Sequence, residues 1–93
     1  ALNLHIISAE CPLKRFVLVS SVSSLFGFPQ FASYAVANAY LDGLIGYRQT
    51  LGLPALGVCY GPFLGKGLLE KQHPSMDFPR LAKISISEGL EAL

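Results

Sequence analysis

The sequence predicts an α/β chain with parallel strands, and three observations carry that prediction. Two short apolar runs, residues 16–20 and Leu56–Tyr60, lack alternation and suit strands covered on both faces. Between them lies a segment of helical periodicity, from residue 31 or 32 to residue 51. Strand, helix-length crossover and strand imply a right-handed βαβ unit. Two strands do not make an independent sheet of this class, so the rest of the fold is expected upstream.

Each element has a local reason. Residues 2–10 carry apolar side chains at Leu2, Leu4, Ile6 and Ile7, compatible with a helix tail or a short strand. Cys11-Pro12 stops either one, because proline disfavours helix at the residue before it. Ser20, Ser21, Val22, Ser23 and Ser24 lead into a loop marked by Gly27, Pro29 and Gln30. In the long helix, Ala32, Ala35, Ala37 and Ala39 allow close packing, and Leu41, Leu44 and Ile45 continue an apolar stripe. Gly43 and Gly46 weaken its interior. Gly52, free to turn left-handed, and Pro54 end it. Gly61-Pro62 ends the second strand. Gly65, Gly67 and the polar Lys71-Gln72-His73-Pro74 read as a lid-like loop. Ser85 and Glu88 form a capping box that opens a last helix at Ile86.

Composition points the same way. Of the 93 residues, 52% are apolar and 14% charged, against about 25% charged in ordinary soluble domains. A small domain has much surface to solvate, so this balance reads as the inner portion of a larger domain. Net charge is +1 with no basic run longer than Lys14-Arg15, which leaves nucleic acid and membrane unsupported as partners. No window approaches the roughly 18 apolar residues of a membrane span, and no secretory signal opens the stretch. Cys11 and Cys59 lie in no C-x-x-C pattern and read as free thiols of a reducing, cytoplasmic compartment. Cys59 is expected to be a small buried hydrophobe. His5 and His73 lack a second ligand at metal spacing, so no metal site is predicted.

The chemistry-bearing residues are Ser21, Tyr34 and Asn38. Ser21 follows the first strand. Tyr34 and Asn38 stand four apart, on one face of a helix. A serine hydroxyl and a phenol together grip a carbonyl oxygen and give it a proton, the chemistry of ketone reduction. Taken singly, Ser21 is more often a hydroxyl that finishes a strand or caps a turn, Tyr34 more often a packing residue with a wet tip, and Asn38 is a weak helix former.

Together these segments resemble a known family. Phe16-Val-Leu-Val-Ser-Ser21, the loop from Gly27 to Gln30, Tyr34-Ala-Val-Ala-Asn38-Ala-Tyr-Leu-Asp42 and Gly52-Leu-Pro-Ala55 resemble the C-terminal part of a ketoreductase domain. The family belongs to polyketide synthases and animal-type fatty acid synthases, a branch of the short-chain dehydrogenase/reductases. The resemblance implies the C-terminal part of a doubly wound, Rossmann-like parallel sheet, with residues 1–93 a fragment of one domain. It implies that Ser21 hydrogen-bonds the substrate carbonyl, that Tyr34 protonates it, and that Asn38 positions a water or a neighbouring lysine. Asparagine at that position, where most short-chain dehydrogenases have lysine, marks this branch. The lysine is expected just before Ala1, and a tyrosine, whose free phenol ionises near about 10, needs such a cation.

The resemblance also implies NADPH as cofactor. Tyr60, Gly61 and Pro62 resemble the segment along its nicotinamide end, with Tyr60 standing where tryptophan is usual. The Gly-rich phosphate turn is absent from the chain and expected upstream. Gln30-Phe31-Ala32 replaces the usual glycine-glutamine pairing before the tyrosine. The loop from Phe63 to about Pro79 is expected to cover the substrate. Implied partners are the N-terminal remainder of the domain and an acyl carrier domain bearing a phosphopantetheine-bound β-ketoacyl group. The fragment alone is expected to be inactive. The alternative is a non-catalytic, structural half-domain, although such segments usually lack the serine-tyrosine pair. A free-standing binding module fits the composition poorly, and residues 1–93 alone are expected to be poorly soluble or molten.

Overall fold

The computed structural model describes residues 1–27, 31–64 and 81–93. Its elements are α1 (Leu2–Ser8), β1 (Val17–Ser21), α2 (Ser23–Phe26), α3 (Ala32–Thr50), β2 (Leu56–Tyr60) and α4 (Ile86–Glu91). They fall into two compact units, Ala1–Cys59 and Tyr60–Leu93.

In the first unit, residues 2–8 settle as helix, not strand. α1 buries only His5 and turns Leu4, Ile6 and Ile7 to solvent. β1 and β2 pair in a two-stranded parallel sheet. The register is set at its start, where the Leu56 N–H donates to the Phe16 carbonyl at 2.9 Å. α3 packs on β1 and on α2. Between β1 and Gly27, where the predicted loop begins, stands the short helix α2, which the sequence does not predict. Ser21 Oγ receives the Ser23 N–H at 3.3 Å, so a serine hydroxyl starts the turn that serines otherwise oppose.

Within this chain the strands are not covered on both faces. Val19 is 48% and Leu56 52% exposed, while Ser20 is 4% exposed. One face of β1 meets α3, and among the described residues no element covers the other. Cys59 follows the same logic and is an exposed free thiol, not a buried hydrophobe. Both cysteines are free.

α3 places Leu44 and Ile45 inward as the stripe predicts, and half-buries Leu41 and Ala35. Ala32, Ala37 and Ala39 lie on its exposed side, so they do not serve close packing here. Gly57 does. A Cβ there would stand 2.7 Å from Ile45 Cδ1, so the missing side chain is what admits Ile45. Gly52 ends the helix at φ +70°, the left-handed turn expected of it.

Much of the inner surface is polar. His5, Ser20, Ser23, Asn38 and Arg48 are buried beside Leu44 and Ile45. Burial of polar groups costs free energy unless they are bonded, so hydrogen bonds decide whether this interior holds. Arg48 is the extreme case at 0% exposure. Its guanidinium lies 3.7 Å from the Phe16 ring centre, Nε donates to the Pro54 carbonyl at 3.2 Å, and Nη1 donates to Ser8 Oγ at 3.0 Å.

The second unit closes on itself. Phe63 and Ile84 form a parallel bridge, the Ile84 N–H donates to the Pro62 carbonyl at 3.1 Å, and the Leu64 N–H donates to the Ile84 carbonyl at 2.9 Å. The predicted capping box is present at Ser85 and Glu88. An apolar hollow of about 270 Å³ lies between Phe63, Leu64, Ile86, Leu90 and Leu93. Most of the lid-like loop, including Gly65, Gly67 and His73, and Pro29 with Gln30, lie outside the described residues.

Candidate active site

Ser21 terminates β1, and Tyr34 and Asn38 sit in the first half of α3. The strand end and the helix N-terminal half belong to elements that pack together, so one unit holds all three. Their local bonding differs in a way that matters chemically.

Ser21 Oγ accepts the Ser23 N–H at 3.3 Å. That bond uses a lone pair, and among the described residues the hydroxyl proton has no side-chain or backbone acceptor. A hydroxyl that accepts from an N–H is also polarised toward donation.

Tyr34 is 45% exposed on α3. Asn38 is buried one turn further on. Its Nδ2 donates to the Tyr34 carbonyl at 2.8 Å. Since the acceptor is a carbonyl, the amide nitrogen must face it, which turns Oδ1 outward. Among the described residues Oδ1 has no hydrogen-bond partner, so it is open to a water or an ammonium group. No direct hydrogen bond joins Ser21 to Tyr34.

Two positions that the sequence alone does not single out join this group. Asp42 stands two turns beyond Tyr34 on the same side of α3, and Ser24 lies in α2. Ser24 Oγ is 2.6 Å from Asp42 Oδ2, and Cys59 Sγ is 3.7 Å from Asp42 Oδ1. Partial burial raises the Asp42 carboxyl, but hydrogen bonds from Ser20, Ser24 and Cys59 outweigh it and hold the group below its ordinary value of 3.8. The recurrence of Tyr34, Asn38 and Asp42 at intervals of four is the signal in the sequence. It marks a polar stripe on a helix whose neighbouring positions are apolar.

Residues 1–65 match the family described as the KR domain. The chain belongs to the KR domain family. Over 93 residues it is 41% identical to a subunit of the phenolphthiocerol/phthiocerol polyketide synthase of Mycobacterium tuberculosis, a match over 100% of this chain and 5% of that protein. It is 48% identical over 68 residues to the hybrid PKS-NRPS synthetase pyvA of Aspergillus violaceofuscus, 73% of this chain and 2% of that one. A solved structure of A-type ketoreductases from a modular polyketide synthase superposes with a TM-score of 0.85 at 33% identity, over 98% of this chain and 20% of that chain. An A1-type ketoreductase superposes equally well, at 0.85 and 32% identity, with the same coverage. The chain therefore spans a small part of these relatives. Its α/β architecture is that of a portion of the Rossmann-like ketoreductase fold.

In the second unit, the residues expected along a cofactor differ in what they have left to offer. The Tyr60 hydroxyl donates to the Gly89 carbonyl, and its ring lies 5.2 Å from that of Phe63. Pro62 has no N–H, and its carbonyl already accepts from Ile84. Gly61 enters no backbone hydrogen bond among the described residues, and a Cβ there would find Ala82 O at 3.5 Å as its nearest neighbour. Among the described residues, the Gly61 N–H and C=O therefore have hydrogen-bonding capacity to offer.

Proposed function

We propose that this chain is the substrate-facing part of an NADPH-dependent ketoreductase domain of a cytoplasmic polyketide synthase. The reaction reduces a carrier-bound β-ketoacyl thioester to the β-hydroxyacyl form. The observation that carries the reading is Ser21, whose hydroxyl accepts the Ser23 N–H and keeps its own proton to donate, in a unit that also carries Tyr34 and Asn38.

The substrate carbonyl oxygen takes hydrogen bonds from Ser21 and Tyr34. As its carbon gains hydride, the C=O π pair moves to oxygen, and that oxygen takes the Tyr34 phenol proton, a general-acid step. The developing negative charge is stabilised by the Ser21 donor, which is already oriented. Asn38 Oδ1 holds a water or the ammonium group of a lysine upstream of Ala1, and through it the phenol is reprotonated. NADPH, when bound, supplies the hydride and becomes NADP⁺. Of this chain's residues, Gly61 fits its carboxamide best, since backbone N–H and C=O groups complement an amide. Tyr60 and Pro62 shape that segment. The partners are the N-terminal part of the domain and an acyl carrier domain presenting the substrate on phosphopantetheine.

The test uses the complete parent domain with NADPH and a short β-ketoacyl thioester, followed by loss of reduced-nicotinamide absorbance. Turnover that vanishes in Tyr34→Phe supports the reading. A folded domain that neither binds NADPH nor turns over overturns it and leaves a scaffold.

A further inference from the structure

Bonds on either side of Ser21 lead to one carboxylate, that of Asp42. Ser24 Oγ lies 2.9 Å from the Ser21 carbonyl oxygen and 2.6 Å from Asp42 Oδ2. A hydroxyl has one proton, so these two acceptors share a single donor, and Ser24 Oγ stands within bonding distance of both. On the other side of Ser21, Ser20 Oγ is 3.1 Å from Cys59 Sγ, and that sulfur is 3.7 Å from Asp42 Oδ1. Asp42 thus gathers α2, β1 and β2 onto α3, the helix that carries Tyr34 and Asn38. Its partners are neutral hydroxyls and a thiol, which give it direction without the slack of an exposed ion pair.

We propose that Asp42 and Ser24 are positioning residues that set the distance between the Ser21 hydroxyl and the Tyr34 phenol. The inference rests on the ketoreductase reading above. Ser21 is tied through its own backbone carbonyl, and Tyr34 through the rigid helix two turns before Asp42. Removing the strut leaves both reacting groups present and lets them drift apart. Misplacement on the ångström scale costs rate rather than cofactor binding.

The experiment compares Ser24→Ala, Ser24→Thr and Asp42→Asn in the complete domain, measuring kcat, the KM for NADPH and the melting midpoint. Ser24→Ala is expected to lower kcat on the order of tenfold while the KM for NADPH stays within about twofold. Ser24→Thr, which keeps the hydroxyl, is expected to recover most of that loss. Asp42→Asn is expected to behave as Ser24→Ala does. An active wild-type domain whose Ser24→Ala and Asp42→Asn variants keep kcat within about twofold of wild type overturns this inference alone. So does a kcat loss that only tracks the folded fraction and is not rescued by threonine. A folded wild-type domain without turnover overturns the ketoreductase reading and this inference together.

Discussion

Arg48 Nη1 lies 3.1 Å from His5 Nδ1 and joins the end of α3 to α1 across forty-three positions of sequence. Arginine has no acceptor, so His5 Nδ1 must accept and the ring proton sits on Nε2. The same guanidinium serves Ser8 and Pro54 and stacks on Phe16, while Nη2 is buried without a partner among the described residues. A buried cation held by neutral acceptors is costly to create and costlier to disturb.

Arg48→Lys keeps the charge but loses the planar fork and the stack. It is expected to destabilise the complete domain by about 2 kcal/mol, read as a shift of the urea midpoint at constant m-value. His5→Asn, which offers an oxygen in place of Nδ1, is expected to cost about 1 kcal/mol less than His5→Leu, which leaves Arg48 unanswered. Equal midpoints for all three variants and wild type would remove the cluster's structural role.

Asp42 gives a pH signature whose sign follows from its depressed carboxyl. The unfolded group titrates near 3.8 and the folded group below it. Its stabilising contribution is therefore complete above that pH and is lost as pH falls through the folded value. Between neutral pH and about pH 3, the stability gap between wild type and Asp42→Asn is expected to narrow. A gap that stays constant or widens toward acid contradicts the hydrogen-bonded carboxylate.

Ser21, Tyr34 and Asn38 are expected to separate kinetically. On the proposed ketoreductase reading, Tyr34→Phe is expected to lower kcat on the order of a thousandfold, as for loss of a proton donor, and Ser21→Ala on the order of a hundredfold, as for loss of one oxyanion donor. Asn38→Leu leaves Tyr34 chemically intact, so its deficit is expected to vary with pH. Single-turnover measurement at several pH values distinguishes these patterns.

At the other end of the chain, Ser85 Oγ accepts the Glu88 N–H at 3.3 Å while Glu88 Oε2 accepts the Ser85 N–H at 2.7 Å. The Ser85 backbone bond, and then its side chain, hold the Glu88 carboxyl below its ordinary 4.5. α4 has six residues, so its cap matters. Ser85→Ala is expected to cost about 1 kcal/mol locally, seen as faster exchange of the Gly89 amide, which donates to the Ser85 carbonyl. Below pH 4.5 in the wild type, the same amide is expected to lose protection as Glu88 protonates. Unchanged exchange in both conditions would place the stability of α4 in its apolar face instead.

By itself the sequence determined the elements whose causes are local. The apolar runs became β1 and β2, the small-residue and apolar periodicity became α3, Gly52 turned left-handed to end it, and Ser85 with Glu88 capped α4. The interval of four between Tyr34 and Asn38 was equally legible, because helix geometry alone sets it. What needed the tertiary structure was every contact made across distance. Whether residues 2–8 were helix or strand, and that Cys59 stays exposed, depended on neighbours far along the chain. Arg48 reads in sequence as one more surface cation, and Ser24 and Asp42 as ordinary loop and helix polar residues. Packing α3 on β1 and α2 made them a buried clamp and a strut, since a hydroxyl and a carboxylate eighteen residues apart bond only when the fold brings them within 2.6 Å.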